Sequence, residues 1–305
     1  MCPKDEVGRG TFAAMGTTVD VLAPRLCLDE AIDRARQLFS QWESVLSRFR
    51  LDSELSRVNR SAGREVSVSE LFWCVLEAAF QAAQATDGWF DFAMGRHLQA
   101  LGYDVSWEAM ARTGERGIVA APLIPRAWEL VQLNSDRRTV RVPDGVQLDF
   151  GGIAKGMAVD AAVEDLRAAG IVPVMVNAGG DLAVSGVPPE GAWPVAVGRD
   201  SEPTVALHYG ALATSGTTRR QWIRGGRTYH HLLDPHTGYP SDSPVIRATV
   251  WAPTAREAEV LAKVALLRGW QEGAEFLRRM GAAGELEHED GRIQAVGGWP
   301  RRSKG

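Results

Sequence analysis

Four segments of the 305-residue chain combine glycine with polar side chains in patterns suited to a charged ligand. The first runs Leu148-Asp149-Phe150-Gly151-Gly152-Ile153-Ala154-Lys155-Gly156. Paired glycines let backbone approach a ligand closely, and free amides at a helix start favour an anion, to which Lys155 adds positive charge. The spacing matches neither the Walker A pattern nor G-x-G-x-x-G, and a plain strand-to-helix turn explains it equally well. The second, Val176-Asn177-Ala178-Gly179-Gly180-Asp181, taken alone is a hairpin turn. The third, Thr214-Ser215-Gly216-Thr217-Thr218-Arg219-Arg220, offers hydroxyls and two guanidinium groups to phosphate oxygens, with a solvated turn as the plainer alternative. The fourth, His230-His231-Leu232-Leu233-Asp234-Pro235-His236-Thr237-Gly238, holds three of the six histidines. In a strand His230 and His231 point to opposite faces, so only one serves a given site. His231 and His236, five apart, are not a helical zinc pair. A His beside Asp-Pro-x-Thr-Gly at a strand end suits a general base.

The surrounding pattern predicts the elements that position these groups. A strand is expected at 17–22 after a Met15-Gly16 turn, and an amphipathic helix at 28–49. Ser67-Val68-Ser69-Glu70 has the capping-box form and predicts a helix at 71–86. The polar stretch 104–122 is expected to be a surface excursion, followed by a short helix at 124–133 and a strand at 138–142. Strands are expected at 146–150, 172–177, 182–185, 193–197, 205–208, 228–233 and 246–251. Helices should follow Lys155 and Thr254, the latter opening a second capping box with Glu257. Long helices among hairpin-like strands indicate an α+β fold.

Composition narrows the function. With 45% hydrophobic residues the chain builds a core, and a net charge of -4 argues against a nucleic-acid coat. No apolar run reaches the ~20 residues of a membrane span, so no integral membrane segment is expected. Cys2, Cys27 and Cys74 are widely spaced and form no metal pattern, so idle thiols are expected at Cys27 and Cys74. A lipidated Cys2 would need an apolar signal before it. A cytoplasmic location is therefore expected, with a signal-stripped periplasmic lipoprotein as the alternative. Trp107 and Trp299 fall in surface-compatible stretches.

The four segments, in order, resemble the ApbE-type flavin transferases, the FAD:protein FMN transferases. The resemblance also takes in Ala14-Met15-Gly16-Thr17-Thr18, the stretch from Ser47-Arg48-Phe49 through Val58-Asn59, and Asp87-Gly88-Trp89-Phe90-Asp91. It covers most of the chain and implies one unit over 1–305, with a T-fold-related α+β architecture around a central FAD cleft. It implies that Met15, Trp89, Phe90 and Asp91 lie along the flavin nucleotide and that Phe49 stacks on an aromatic ring of FAD. Asp149, Lys155 and the backbone near Leu232 should contact the cofactor, and His231 should be the base near the acceptor hydroxyl. The reaction so implied joins FMN from FAD to a Ser or Thr of a partner protein and releases AMP. The expected partner carries an Asp/Glu-x-x-Ser/Thr-Gly-Ala-Thr type of motif.

One departure bears on the metal. The resemblance implies that relatives bind Mg²⁺ through an Asp and a Thr four residues apart on the helix after the His segment, completed by a backbone carbonyl, here nearest Gly152. Glu259 and Lys263 hold those two positions. Four residues apart on a helix is one face. Glu can still bind Mg²⁺; a protonated Lys has no lone pair to offer. The site is therefore expected to be weakened, with three alternatives for the pair: an ordinary i, i+4 ion pair, a Lys ammonium in the metal position, or a chain that binds FAD without transferring FMN. Hydrolysis of FAD to FMN and AMP is a further alternative. Lys155, Arg219, Arg220 and Lys263 are expected to give the acidic chain a basic pocket.

Overall fold

The computed structural model describes residues 6–110, 121–198 and 203–300. Among the described residues one antiparallel sheet of eight strands organises the chain, and its strands lie side by side in sequence order. They are Val7–Ala14, Thr17–Pro24, Val174–Ala178, Asp181–Ser185, Gly210–Gly216, Val245–Ala252, Ala283–His288 and Ile293–Val296. The first two join through Met15 and Gly16, both at positive φ (50° and 66°), the geometry of a tight two-residue hairpin.

Both faces of this sheet are covered, and strand alternation assigns the side chains to them. Val174, Val176 and Ala178 face one core, with Ala211 and Ala213; Met175 and Leu212 face the other. The first core lies under three helices, Leu28–Leu46, Ala154–Ala168 and Ala255–Arg268. The second lies under the hairpin of Trp193–Ala196 with Pro203–Leu207 and under Trp299. A third cluster joins Met94, Leu98 and Tyr103 to Trp222 and Tyr229 of the hairpin Gln221–Arg224 with Arg227–His230. The mixed architecture is the expected α+β fold.

Several expectations need correction. The stretch 146–150 is not a strand. It makes one isolated bridge, Met94 to Gln147, and the Asn59 side-chain amide bonds both the N–H and the C=O of Leu148 at 2.8 and 3.0 Å. A side chain here replaces a neighbouring strand. The helix Glu70–Ala85 is capped by Ser69, whose hydroxyl accepts the Phe72 N–H at 3.2 Å, so the cap lies two residues beyond Ser67. The strand expected at 228–233 ends at His230, and 124–133 holds only a 3₁₀ turn, Ala127–Leu130, before the strand Gln132–Asn134.

The described flanks of the polar stretch are packed rather than excursive. Met110 is buried, and Val105, Trp107 and Leu123 lean on the third cluster; residues 111–120 lie outside the described residues. Trp299 is also buried, its indole N–H donating to the Glu285 carboxylate at 3.0 Å. Cys27 is disulfide-bonded, not an idle thiol, while Cys74 is free; Cys2 lies outside the described residues. Among the described residues no helix is long and apolar enough to cross a membrane.

Candidate active site

Two helix starts meet at the centre of the molecule. The helix Ala154–Ala168 begins just after Gly151-Gly152, and a Cβ on Gly156 would meet the carbonyl oxygen of Ala255 at 2.5 Å, so only glycine permits this approach. One turn on, Asp160 accepts the N–H groups of Ala255 (2.7 Å) and Arg256 (2.9 Å), two amides the helix Ala255–Arg268 leaves open. The threonine cap at Thr254 adds a bond from the Glu257 N–H at 3.2 Å, as its sequence pattern indicated.

This junction fixes the charged groups. Glu259 is buried; its Oε1 meets Lys155 Nζ at 2.5 Å and its Oε2 accepts the Gly156 N–H at 2.8 Å. Lys155 also pairs with Asp181, at the start of its strand. Burial alone would lower the Lys155 pKa, but Asp181 and Glu259 outweigh it and hold the group above the ordinary 10.5. Burial pushes Glu259 up to about 7 against the pull of Lys155.

Lys263, one turn beyond Glu259, does not pair with it. Its ammonium lies 5.3 Å from the centre of the Phe90 ring and against Gly152, where an added Cβ would come within 2.9 Å of Nζ. It lines a cleft with Trp89, Asp91, Asp149 and His231, walled by the apolar Met94, Leu98 and Leu233. Burial lowers the Lys263 pKa, opposed by the charges of Asp149, Glu259 and Asp91. Asp91 is pushed up to about 6 by burial, although its Oδ1 accepts the Ala93 N–H at 2.7 Å. Asp149 is tied back from the cleft: Oδ2 meets Arg48 Nε at 2.6 Å and Oδ1 accepts the Gly151 N–H at 2.7 Å.

His231 lines the same cleft. Burial, then the positive charges of Arg220, Lys263 and Lys155, holds its pKa well below 6.5, so the ring is neutral at pH 7. Its Nδ1 is buried without a hydrogen-bond partner. The exposed His236 is oriented by Asp234 (Nδ1 to Oδ1, 3.0 Å), and its ring meets that of Trp89 edge-on at 4.6 Å. It thus marks the cleft mouth.

The expected residues divide accordingly. Trp89, Asp91, Asp149, His231 and Lys263 line one cleft; Phe90 and Gly152 lie against Lys263. Lys155 is spent on Asp181 and Glu259. Leu232 buries its side chain in the core, and its carbonyl accepts the Ser241 N–H. Phe49 packs at a tilt against Tyr103 with ring centres 5.5 Å apart and the Arg48 guanidinium 4.1 Å from its ring centre; Met15 sits in the first hairpin turn, where Arg220 donates to the Gly16 carbonyl. Arg219 departs from the expected basic pocket and lines a separate hollow with Thr218 and Arg247. Asp181, Arg48 and Asp160 were missed as positioning groups. Asp181 carried a signal, an acid directly after Gly-Gly; the partners of the other two are more than 90 positions away.

The donor set does not fit a divalent ion. Both oxygens of Glu259 are engaged and the Lys263 ammonium has no lone pair, which leaves the Gly152 carbonyl alone of the three expected ligands. Among the described residues no three His, Cys, Asp or Glu side chains converge as a metal-binding group.

An antiparallel sheet backed by helices, with a glycine turn, a lysine helix and a His-x-x-Asp-Pro turn converging on one cleft, defines the class of fold and site. The ApbE family pattern matches residues 15–285, and the chain belongs to the ApbE family. It is 29% identical over 296 residues to the FAD:protein FMN transferase of Treponema pallidum, covering 88% of this chain and 80% of that one. It is 30% identical over 302 residues to that of Rhodobacter capsulatus, covering 94% of this chain and 56% of the relative. The crystal structure of the ApbE protein of Thermotoga maritima superposes with a TM-score of 0.82 at 26% identity, covering 95% of this chain and 97% of that one. The apo flavinyl transferase ApbE of Pseudomonas stutzeri gives 0.81 at 26% identity, covering 96% and 95%.

Proposed function

We propose that this chain is an FAD:protein FMN transferase and that residues 1–305 act as one catalytic unit. The observation that carries the reading is that a neutral His231 and Lys263 line one cleft in an ApbE-family fold. In the proposed reaction His231 accepts the proton of an acceptor Ser or Thr hydroxyl. The hydroxyl oxygen forms a bond to the FMN-side phosphorus of FAD, the bridging P–O bond breaks, and AMP leaves with that electron pair. Trp89 and the apolar wall of Met94, Leu98 and Leu233 supply a surface for the flavin ring. Asp91 and the Arg48-anchored Asp149 line the same cleft, and the Lys155–Glu259–Asp181 cluster holds the two helix starts in register. No step runs through a divalent ion, because the residues at the expected Mg²⁺ position do not form its ligand set.

The acceptor is proposed to be a protein with a Ser or Thr flavinylation motif. Chromatography of FAD incubated with the chain, with and without such an acceptor, tests the reading. AMP that appears only with acceptor supports transfer. AMP with FMN in the absence of acceptor indicates hydrolysis, and intact FAD throughout indicates a flavin-binding protein. For location the proposal is the cytoplasm, with a signal-stripped periplasmic lipoprotein as the alternative. Cell fractionation decides: the protein in the cytosolic fraction supports the first, and in the periplasmic or membrane fraction the second.

A further inference from the structure

A ligand that carries a pyrophosphate brings negative charge into a cleft, and that charge must be met by groups already held there. The cationic groups around this cleft are not equivalent. Lys155 is paired with Asp181 and Glu259, and Arg48 with Asp149 and the Tyr103 carbonyl, although Arg48 Nη2 is buried without a partner. Arg220 donates to the Gly16 carbonyl. Lys263 differs: among the described residues no carboxylate lies within ion-pair distance of its Nζ, and its nearest recorded partner is the face of Phe90.

The acids around it are committed to other partners. Asp149 spends both oxygens on Arg48 and Gly151, Asp91 one on Ala93, and Glu259 both on Lys155 and Gly156. Their fields still favour an ammonium, while none forms a contact pair with it. Gly152 leaves open the space beside Nζ that any side chain would fill. The result is a fixed cation with free N–H donors, aimed into the cleft beside a glycine turn.

We infer that Lys263 is the resident cation of this site: its ammonium, rather than a bound divalent ion, meets the pyrophosphate of FAD. The inference rests on the reading of the cleft as an FAD site and adds to it how the phosphate charge is met. A covalently attached cation cannot be chelated away, so FAD binding should be independent of free metal.

Calorimetric titration of the intact chain with FAD tests this. The wild type should show the same dissociation constant in EDTA and in magnesium chloride. Lys263→Met should weaken FAD binding by roughly tenfold to a hundredfold, the worth of a charge-assisted hydrogen bond. Riboflavin, which lacks the phosphates, should bind both proteins alike, and Lys263→Arg should keep most of the FAD affinity. EDTA that weakens wild-type binding, with magnesium restoring it, would overturn the inference, as would a Lys263→Met protein that binds FAD like wild type. If Lys263→Met does not melt cooperatively, the chelator comparison on wild type decides. A wild type that binds no FAD under any condition removes the FAD reading itself. FAD binding that ignores Lys263 removes only this inference.

Discussion

A histidine that takes a proton from an attacking hydroxyl must be neutral when the acceptor arrives. Burial and three neighbouring cations keep His231 in that state at pH 7. His231→Ala should therefore lower the rate of FMN transfer by about 10²–10⁴-fold, the usual worth of a general base, and leave FAD affinity unchanged. Rates measured at saturating FAD check this; an unaltered rate removes His231 from proton transfer. Asp91 gives a separate prediction at the same scale. Its carboxyl is pushed from 3.8 to about 6 in the folded chain, so between those values the folded state binds more protons than the unfolded state. Stability contributed by this group is full at low pH and is lost as pH rises through about 6. Asp91→Asn keeps an acceptor for the Ala93 N–H and loses the titration. It should gain on wild type between pH 4 and 6 and hold a gain of roughly 1–3 kcal/mol above that. Denaturant unfolding across pH measures it, and a difference that does not vary with pH contradicts it.

At the scale of elements, the site depends on how two helix starts are joined. Asp160 caps the helix Ala255–Arg268 from the helix Ala154–Ala168, so it holds Glu259 and Lys263 in place against Lys155 without touching the cleft. Asp160→Ala should cost roughly 0.5–2 kcal/mol in unfolding free energy, the range for a lost cap. It should also weaken FAD binding, because Lys263 is no longer held against Gly152. Unfolding and FAD titration together check this, and a loss of stability with wild-type FAD affinity would show that the cap is structural only. The elements themselves were partly legible in sequence. Helix periodicity located the long helices within a few residues, but hydrophobic runs located only four of the eight strands of the main sheet, missing Val7–Ala14, Gly210–Gly216, Ala283–His288 and Ile293–Val296. The misses share a cause: an isolated segment does not show its partner. The 146–150 stretch has a strand's composition, but its neighbour is the Asn59 side chain. Trp299 lay in a polar-looking tail, but the buried Glu285 receives its N–H.

At the scale of the whole molecule, a chain of net charge -4 carries a cleft where cations and acids alternate, and almost every pair there spans distant sequence. Residue types and family order named Asp91, Asp149, His231 and Lys263, which line one cleft, because their motifs are local. Pairing did not follow from them: Lys155 reaches Asp181 and Glu259 across the junction of three elements, and Arg219 faces a different hollow from its neighbour Arg220. The measurement that tests the account most directly is the intact mass of an acceptor protein after incubation with the chain and FAD in the presence of EDTA. The account predicts a mass increase equal to FAD minus AMP on one Ser or Thr, with an equal amount of AMP released. An acceptor of unchanged mass beside intact FAD, in EDTA and in magnesium alike, would contradict it.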